Sequence, residues 1–172
     1  MATEETRVNE ASAEDLSEIL RVRREKLASL CEAGENPFEI VKYDVTHHSA
    51  DIIENFEELE NCEVTIAGRM MSRRGMGKAS FCDIQDLKGK IQIYVRINDV
   101  GEEVFAKFRK YDIGDIVGAK GTVFRTRMGE ISIHVTEITL LSKSLKPLPE
   151  KYHGLTNTDI RYRQRYVDLI MN

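Results

Sequence analysis

Residues 67–93 read AGRMMSRRGMGKASFCDIQDLKGKIQI, and the breaks within this run define the architecture. Gly75 and Gly77 interrupt it once and Lys88 with Gly89 interrupt it again. Segments of β-type residues flank both breaks, so the pattern predicts three consecutive antiparallel strands. Four cations, Arg69, Arg73, Arg74 and Lys78, gather around the first break, Phe81 lies in the second strand, and Gln92 sits among isoleucines in the third. Cations meet phosphate, an aromatic face stacks on a base and an amide reads a base edge, so this mixture suits a nucleic-acid groove.

Strands are expected over residues 63–72, 79–86, 89–97, 115–126 and 130–141. Between the third and fourth, Glu102, Val104, Phe105, Phe108 and Tyr111 include apolar residues at three- and four-residue spacing, which predicts one helix ending before Gly114. The order β-β-β-α-β-β makes this a mainly β protein, and it matches the five-stranded Greek-key barrel of the OB-fold with a helix between strands 3 and 4. An SH3-like barrel lacks so long a helix at that place.

Upstream, Ser12 with Asp15 resembles a capping box. Leu16, Ile19, Leu20, Leu27 and Leu30 then keep helical spacing, interrupted by Arg23, until Gly34 and Pro37. Residues 1–11 are polar and acidic and are expected to fray. A second helix is expected from Ser49, as N-cap, through Ile52, Ile53, Phe56 and Leu59. Arg21, Arg24 and Lys26 form either a solvated helix face or a second contact with RNA phosphates. Downstream, KSLKPLPEKYHGL reads as an extended linker, and Asp159 opens a further helix in whose middle the chain stops, as a fragment of a longer protein would. The expected organisation is 1–60 a disordered start plus helical appendage, 61–145 the barrel, and 146–172 the linker with the start of a further domain.

The net charge of −4 on 172 residues argues superficially against a nucleic-acid partner. Its distribution reverses that. Residues 1–60 carry 6 Lys and Arg against 16 Asp and Glu, residues 61–145 carry 14 against 10, and residues 146–172 carry 5 against 3. An acidic front therefore masks a basic middle. Cys31, Cys62 and Cys82 have no CxxC spacing, and their odd number fits no complete disulfide framework within the chain. No run approaches the roughly eighteen apolar residues of a membrane span, and the acidic start lacks the pattern of a signal peptide. A cytoplasmic protein is expected.

Period-two alternation sorts the strand faces. Val64, Ile66 and Gly68 point one way and Thr65, Ala67, Arg69 and Met71 the other. Ile91, Ile93, Val95 and Ile97 are core, which turns Gln92, Tyr94 and Arg96 outward. Ile131, Ile133, Val135 and Ile138 belong mostly to the core, which turns Glu130, Ser132, His134 and Thr136 outward. The second strand is ambiguous. If Cys82 and Ile84 are core, Phe81 is exposed as a stacking platform; with the register shifted by one, Phe81 is core. Glu130 either accepts a hydrogen bond from a base or holds an arginine, and His134 reads as a rim histidine. His47 and His48 are adjacent and no ligand pattern completes a zinc site around them. RRGMGKAS lacks the Walker spacing and lies between strands, so it is no nucleotide loop. No catalytic set stands out.

The blocks RREKLASLCEAGENPF, GRMMSRRGMGKASFCDIQDLKGKIQIYV, YDIGDIVGAKGTVFRTRMGEISIHVTEITLLSKSLKPLPEKYHGL and DIRYRQRYVDLI resemble, in that order, the N-terminal region of the bacterial-type lysyl-tRNA synthetases, which are class II enzymes. The resemblance covers nearly the whole chain from about Leu16. Aspartyl and asparaginyl relatives share the barrel, but MGKASF and KPLPEKYHGL point to the lysine branch. It implies an anticodon-binding domain in which Phe81 stacks on an anticodon base, Gln92 reads the central uracil, Glu130 lies in the same pocket and Arg69 contacts the RNA. Arg73, Arg74 and Lys78 are expected to position the backbone beside them. The implied partner is the anticodon stem-loop of lysine tRNA, with no DNA and no membrane. Full-length members are homodimers that use ATP and Mg. Here the catalytic body would begin at Asp159, and class II motifs 2 and 3 do not occur, so neither catalysis nor a cofactor is expected of this chain alone. Two alternatives stand beside this reading: the leading part of a complete synthetase that joins lysine to tRNA using ATP, and an OB-fold protein-interaction module.

Overall fold

The structure is a computed structural model that describes residues 2–149 and 158–171, with residues 2–14 described by backbone alone. Two compact units divide it, residues 1–20 with 146–172, and residues 21–145. Helix α1 runs from Ala2 to Glu32. Residues 2–11, expected to fray, are therefore helical. No glycine or proline precedes Ser12 to interrupt them, and Glu4 and Glu5 lie near the start, where the helix dipole favours negative charge.

In the larger unit the expected second helix is split at Asn55 into α2 (Ser49–Glu54) and α3 (Phe56–Leu59). Ser49 is the first residue of α2 and not its cap. Its backbone N–H and its hydroxyl both donate to the Asp86 carboxylate, at 2.6 and 2.7 Å. Asp86 also accepts from the backbone of Lys88 and Gly89, so one side chain organises a hairpin turn and ties it to α2.

Five strands follow: β1 (Glu63–Met76), β2 (Ala79–Gln85), β3 (Lys90–Arg96), β4 (Ile116–Arg125) and β5 (Ile131–Ser142). They close into a barrel in the order β1-β2-β3-β5-β4. Every neighbouring pair is antiparallel except β3 with β5, which is parallel. This is the predicted OB-fold. β1 serves two neighbours, pairing with β4 over Glu63–Arg69 and with β2 over Arg69–Met76. A bulge between Met70 and Ser72 buries both Met70 and Met71. Met71, expected outside with Arg69, is therefore inside, and beyond the bulge Ser72 and Arg74 take the outward positions.

The core has its expected owners in Val64 and Ile66, Ile91, Ile93 and Val95, and Ile133 and Val135; Cys82 and Ile84 join them, which resolves the ambiguous second strand, as do Val117 and Val123 of the unsorted fourth. The expected single helix between β3 and β4 is two, α4 (Ile97–Val100) and α5 (Glu102–Arg109). Gly101 separates them at φ 91°, a backbone conformation that costs glycine little. Phe105 and Phe108 of α5 join the core, as do Ile52 and Phe56 from α2 and α3.

The C-terminal half of α1 is held to the barrel by polar contacts that its apolar spacing did not predict. Arg23, which interrupts the apolar stripe, is buried and donates to the Ser144 carbonyl at 2.9 Å. Lys26 pairs with Asp112 at 2.8 Å, so it is committed to the protein. Arg21 pairs with Glu25, and Arg24 is exposed. Beneath them Lys143, itself buried, pairs with Asp112 and with the fully buried Asp115 at 2.7 Å. The Asp115 carboxylate also accepts from the backbone N–H groups of Asp112 and Ser144.

In the other unit, the helix expected from Asp159 is broken at Gln164 into α6 (Thr158–Arg163) and α7 (Arg165–Met171). Asp168 is buried in α7 and accepts from Arg161 at 2.8 Å and from Arg165. Of the expected linker, residues 143–149 are irregular, and the remainder lies outside the described residues.

Candidate nucleic-acid interface

Strand pairing arranges the outer face of the barrel in two ranks. In one, Arg74 lies opposite Phe81, Phe81 opposite Tyr94, and Tyr94 opposite His134. In the other, Ser72 lies opposite Asp83, Asp83 opposite Gln92, Gln92 opposite Ser132, and Ser132 opposite Phe124. The first rank offers aromatic faces, and the second offers hydrogen-bonding groups and ends at the Phe124 ring.

Phe81 is on the outer face, because Ser80, Cys82 and Ile84 are buried beside it. Its ring stacks on Tyr94 with centroids 4.8 Å apart and planes at 29°. Tyr94 meets His134 edge-on at 5.4 Å, and Phe124 lies 5.8 Å from His134, so four rings form one half-exposed patch. His134 is anchored from below. Its Nε2 lies 2.5 Å from Asp99, whose carboxylate is also gripped by Arg96 at 2.8 and 3.0 Å. Sequence reasoning placed Tyr94 outward without giving it a role and left Phe124 unplaced. The alternation of Val117, Ala119, Gly121 and Val123 through β4 carries the signal that turns Phe124 outward.

Gln92 belongs to the outer rank yet is only 5% exposed. Ile53 of α2 and the segment Gly129–Ile131 wall it in, forming a cavity of about 380 Å³ that Asp83, Lys90, Gln92 and Glu130 also line. These contributors lie far apart in sequence, so alternation exposed Gln92 but could not enclose it. The Gln92 carbonyl accepts from the Ser132 hydroxyl at 2.8 Å, and Ser72 donates to Asp83. Glu130 is exposed and makes no ion pair among the described residues; Arg125, in the same hairpin, lies over the Phe56 ring at 4.6 Å.

The expected cations divide into two groups. Arg69 is partly buried and donates to the Gly114 carbonyl at 2.7 Å; burial pulls its pKa down while Asp115 nearby pushes it up. Arg73 donates to the carbonyls of Phe108 and Tyr111 at 3.1 and 2.8 Å and lies over the Phe108 ring. Both therefore brace the barrel in this structure. Arg74 and Lys78 are exposed without an ion pair among the described residues, and Arg127, which the sequence reading passed over, is exposed in the β4–β5 turn. Phe81, Gln92 and Glu130 thus share one face, whereas Arg69 and Arg73 are turned to the protein. No cluster of His, Cys, Asp or Glu among the described residues could hold a metal ion, and no described helix is long and apolar enough to cross a membrane.

Carboxylates beneath His134, at the β2–β3 hairpin and at the α1 contact set the acid limit of the fold. Asp99 is held below the usual carboxylate range chiefly by its hydrogen bond from Arg96. For Asp86 and Asp112 burial pushes upward, but hydrogen bonds outweigh it, from Ser49, Lys88 and Gly89 in one case and from Lys143 and Lys26 in the other. A folded pKa below the unfolded value of about 3.9 means stability that is present above that pH and lost as pH falls through the folded values. The urea midpoint is expected to hold steady from about pH 7 to 5 and to drop below about pH 4. Asp112→Asn should lower the plateau and flatten the drop; an unchanged slope would exclude Asp112 from the linkage.

Residues 64–141 match the family of OB-fold nucleic acid binding domains of the tRNA anticodon type, so this part of the chain is an anticodon-binding OB domain. Over all 172 residues the chain is 55% identical to the lysine–tRNA ligase of Clostridium perfringens, covering 34% of that enzyme. Over 159 residues, 92% of the chain, it is 56% identical to that of Clostridium tetani (32% of the enzyme) and 58% identical to that of Pelotomaculum thermopropionicum (31%). The whole chain matches the N-terminal region of the bacterial lysine–tRNA ligases and spans about a third of the length of these curated relatives.

Proposed function

We propose that this chain recognises the anticodon stem-loop of lysine tRNA for a lysine–tRNA ligase. The observation that carries the reading is the alignment of a stacking rank, Phe81 with Tyr94, beside a recessed polar rank in which Gln92, Asp83 and Glu130 share one cavity. A base laid against Phe81 directs its edge toward Gln92, while Arg74, Lys78 and Arg127 draw in phosphate. Arg69 and Arg73 act mainly as braces, leaving contact with RNA to their remaining N–H groups. ATP and Mg belong to the catalytic body of a full-length ligase, as does dimerisation, and the setting is cytoplasmic. The partner proposed is RNA and not DNA, its base splayed out of a single-stranded loop against this cavity.

Titrating the chain with anticodon stem-loops that differ only in a central U or C tests this. The chain should prefer U, and its affinity should fall as salt rises. Gln92→Ala should bring the two affinities toward each other. Equal discrimination before and after the substitution would remove Gln92 from the readout, and absence of binding to either RNA would favour the protein-interaction alternative.

A further inference from the structure

A glutamine amide has a donor end and an acceptor end of nearly equal shape, so alone it can satisfy either kind of base edge by turning over. At Gln92 that freedom is removed. Gln92 is 5% exposed and Ser132 is 0% exposed. They are register partners across the parallel pairing of β3 with β5, and the Ser132 hydroxyl donates to Gln92 Oε1 at 2.8 Å. This is the only hydrogen bond of the Ser132 side chain among the described residues. A turned amide would present N–H to the hydroxyl and leave the buried hydroxyl proton without an acceptor, which is costly. The other end, Nε2, has no protein partner among the described residues, yet no sealed side-chain nitrogen or oxygen there lacks one. Nε2 therefore opens onto the cavity that Gln92 lines.

We infer that Ser132 is a specificity-positioning residue: it holds Gln92 as a hydrogen-bond donor only, so the cavity accepts a base presenting a carbonyl oxygen and rejects one presenting an amino group. The carboxylates of Asp83 and Glu130, in the same cavity, complement this by accepting a ring N–H. Uracil offers that pair, a carbonyl beside N3–H. Cytosine reverses both, with an amino group beside an unprotonated N3. The inference rests on the anticodon reading above and adds the residue that sets its polarity.

The test compares the 172-residue chain, Ser132→Ala and Gln92→Glu, each at pH 7.5 with stem-loops carrying a central U or C. Ser132→Ala is expected to shrink the U-to-C affinity ratio by about tenfold, the worth of one such hydrogen bond, with the weaker binding of C rising toward that of U. Gln92→Glu, still held by Ser132 but now accepting, is expected to turn the preference toward C. A wild-type preference for U that survives Ser132→Ala unchanged overturns the inference and leaves the anticodon reading standing. Should Ser132→Ala not fold, a continued preference for U in Gln92→Glu overturns it equally. No U preference in the wild type removes both.

Discussion

Lys143→Met is expected to destabilise the barrel unit by about 3–5 kcal/mol, the usual cost of leaving one member of a buried ion pair without its partner. Methionine keeps the length and most of the packing, so the loss isolates the charge. Asp115 is fully buried, and without Lys143 its carboxylate keeps, among the described residues, the backbone donors of Asp112 and Ser144 and the more distant charge of Arg69. Asp112 loses the closer of its two lysines and retains Lys26. For a chain of this size such a loss lowers the thermal midpoint by roughly 10 °C. Lys26→Met is the control, because that lysine is partly exposed and a screened pair is worth only about 0–1 kcal/mol. Equal effects from the two substitutions, measured by urea unfolding, would show that burial does not distinguish the pairs. The pairing also explains how α1 is held: Lys26, Asp112, Lys143 and Asp115 form one continuous polar chain from the helix into the barrel wall.

Phe81→Ala is expected to weaken stem-loop binding by roughly 1–3 kcal/mol, about five- to 150-fold, the range for loss of one base-stacking aromatic. The ring is half-exposed and its described aromatic contact is with Tyr94, so folding should lose less than the roughly 3–5 kcal/mol of a fully buried phenylalanine. Stability and affinity can therefore be separated in the same protein. Salt separates stacking from charge as well. Phe81→Ala should shift the plot of log affinity against log salt downward without changing its slope, whereas Arg74→Ala should reduce the slope by about one. A changed slope for Phe81→Ala, or unchanged affinity, would defeat the stacking role.

What was legible from residues alone followed from local periodicity. The alternation of Ile91, Ile93 and Val95 placed Gln92 and Tyr94 on the outer face before any partner strand was known, and the spacing of Val104, Phe105 and Phe108 located the helix between strands 3 and 4. Where periodicity is interrupted, the reading fails at that residue. The bulge at Met70 and Met71 sends two successive side chains inward, and neither methionine advertises it. Arg23 looked like a flaw in an apolar stripe because the Ser144 carbonyl that satisfies it lies on the far side of the barrel sequence. Arg69 and Arg73 looked like free cations for the same reason: the carbonyls of Gly114, Phe108 and Tyr111 that occupy them belong to another part of the chain.

By itself, then, the sequence determined the barrel, most of the inward and outward sets on its first, third and fifth strands, and the presence of a stacking ring, an amide and cations on one stretch. Tertiary structure alone decided which cations stay available, how deeply Gln92 is enclosed and which end of its amide faces outward. The reason is that side-chain direction along a strand is set by neighbouring residues, whereas enclosure and hydrogen-bond polarity are set by whatever chain closure brings alongside. Here that is the parallel seam of β3 and β5, which places Ser132 against Gln92.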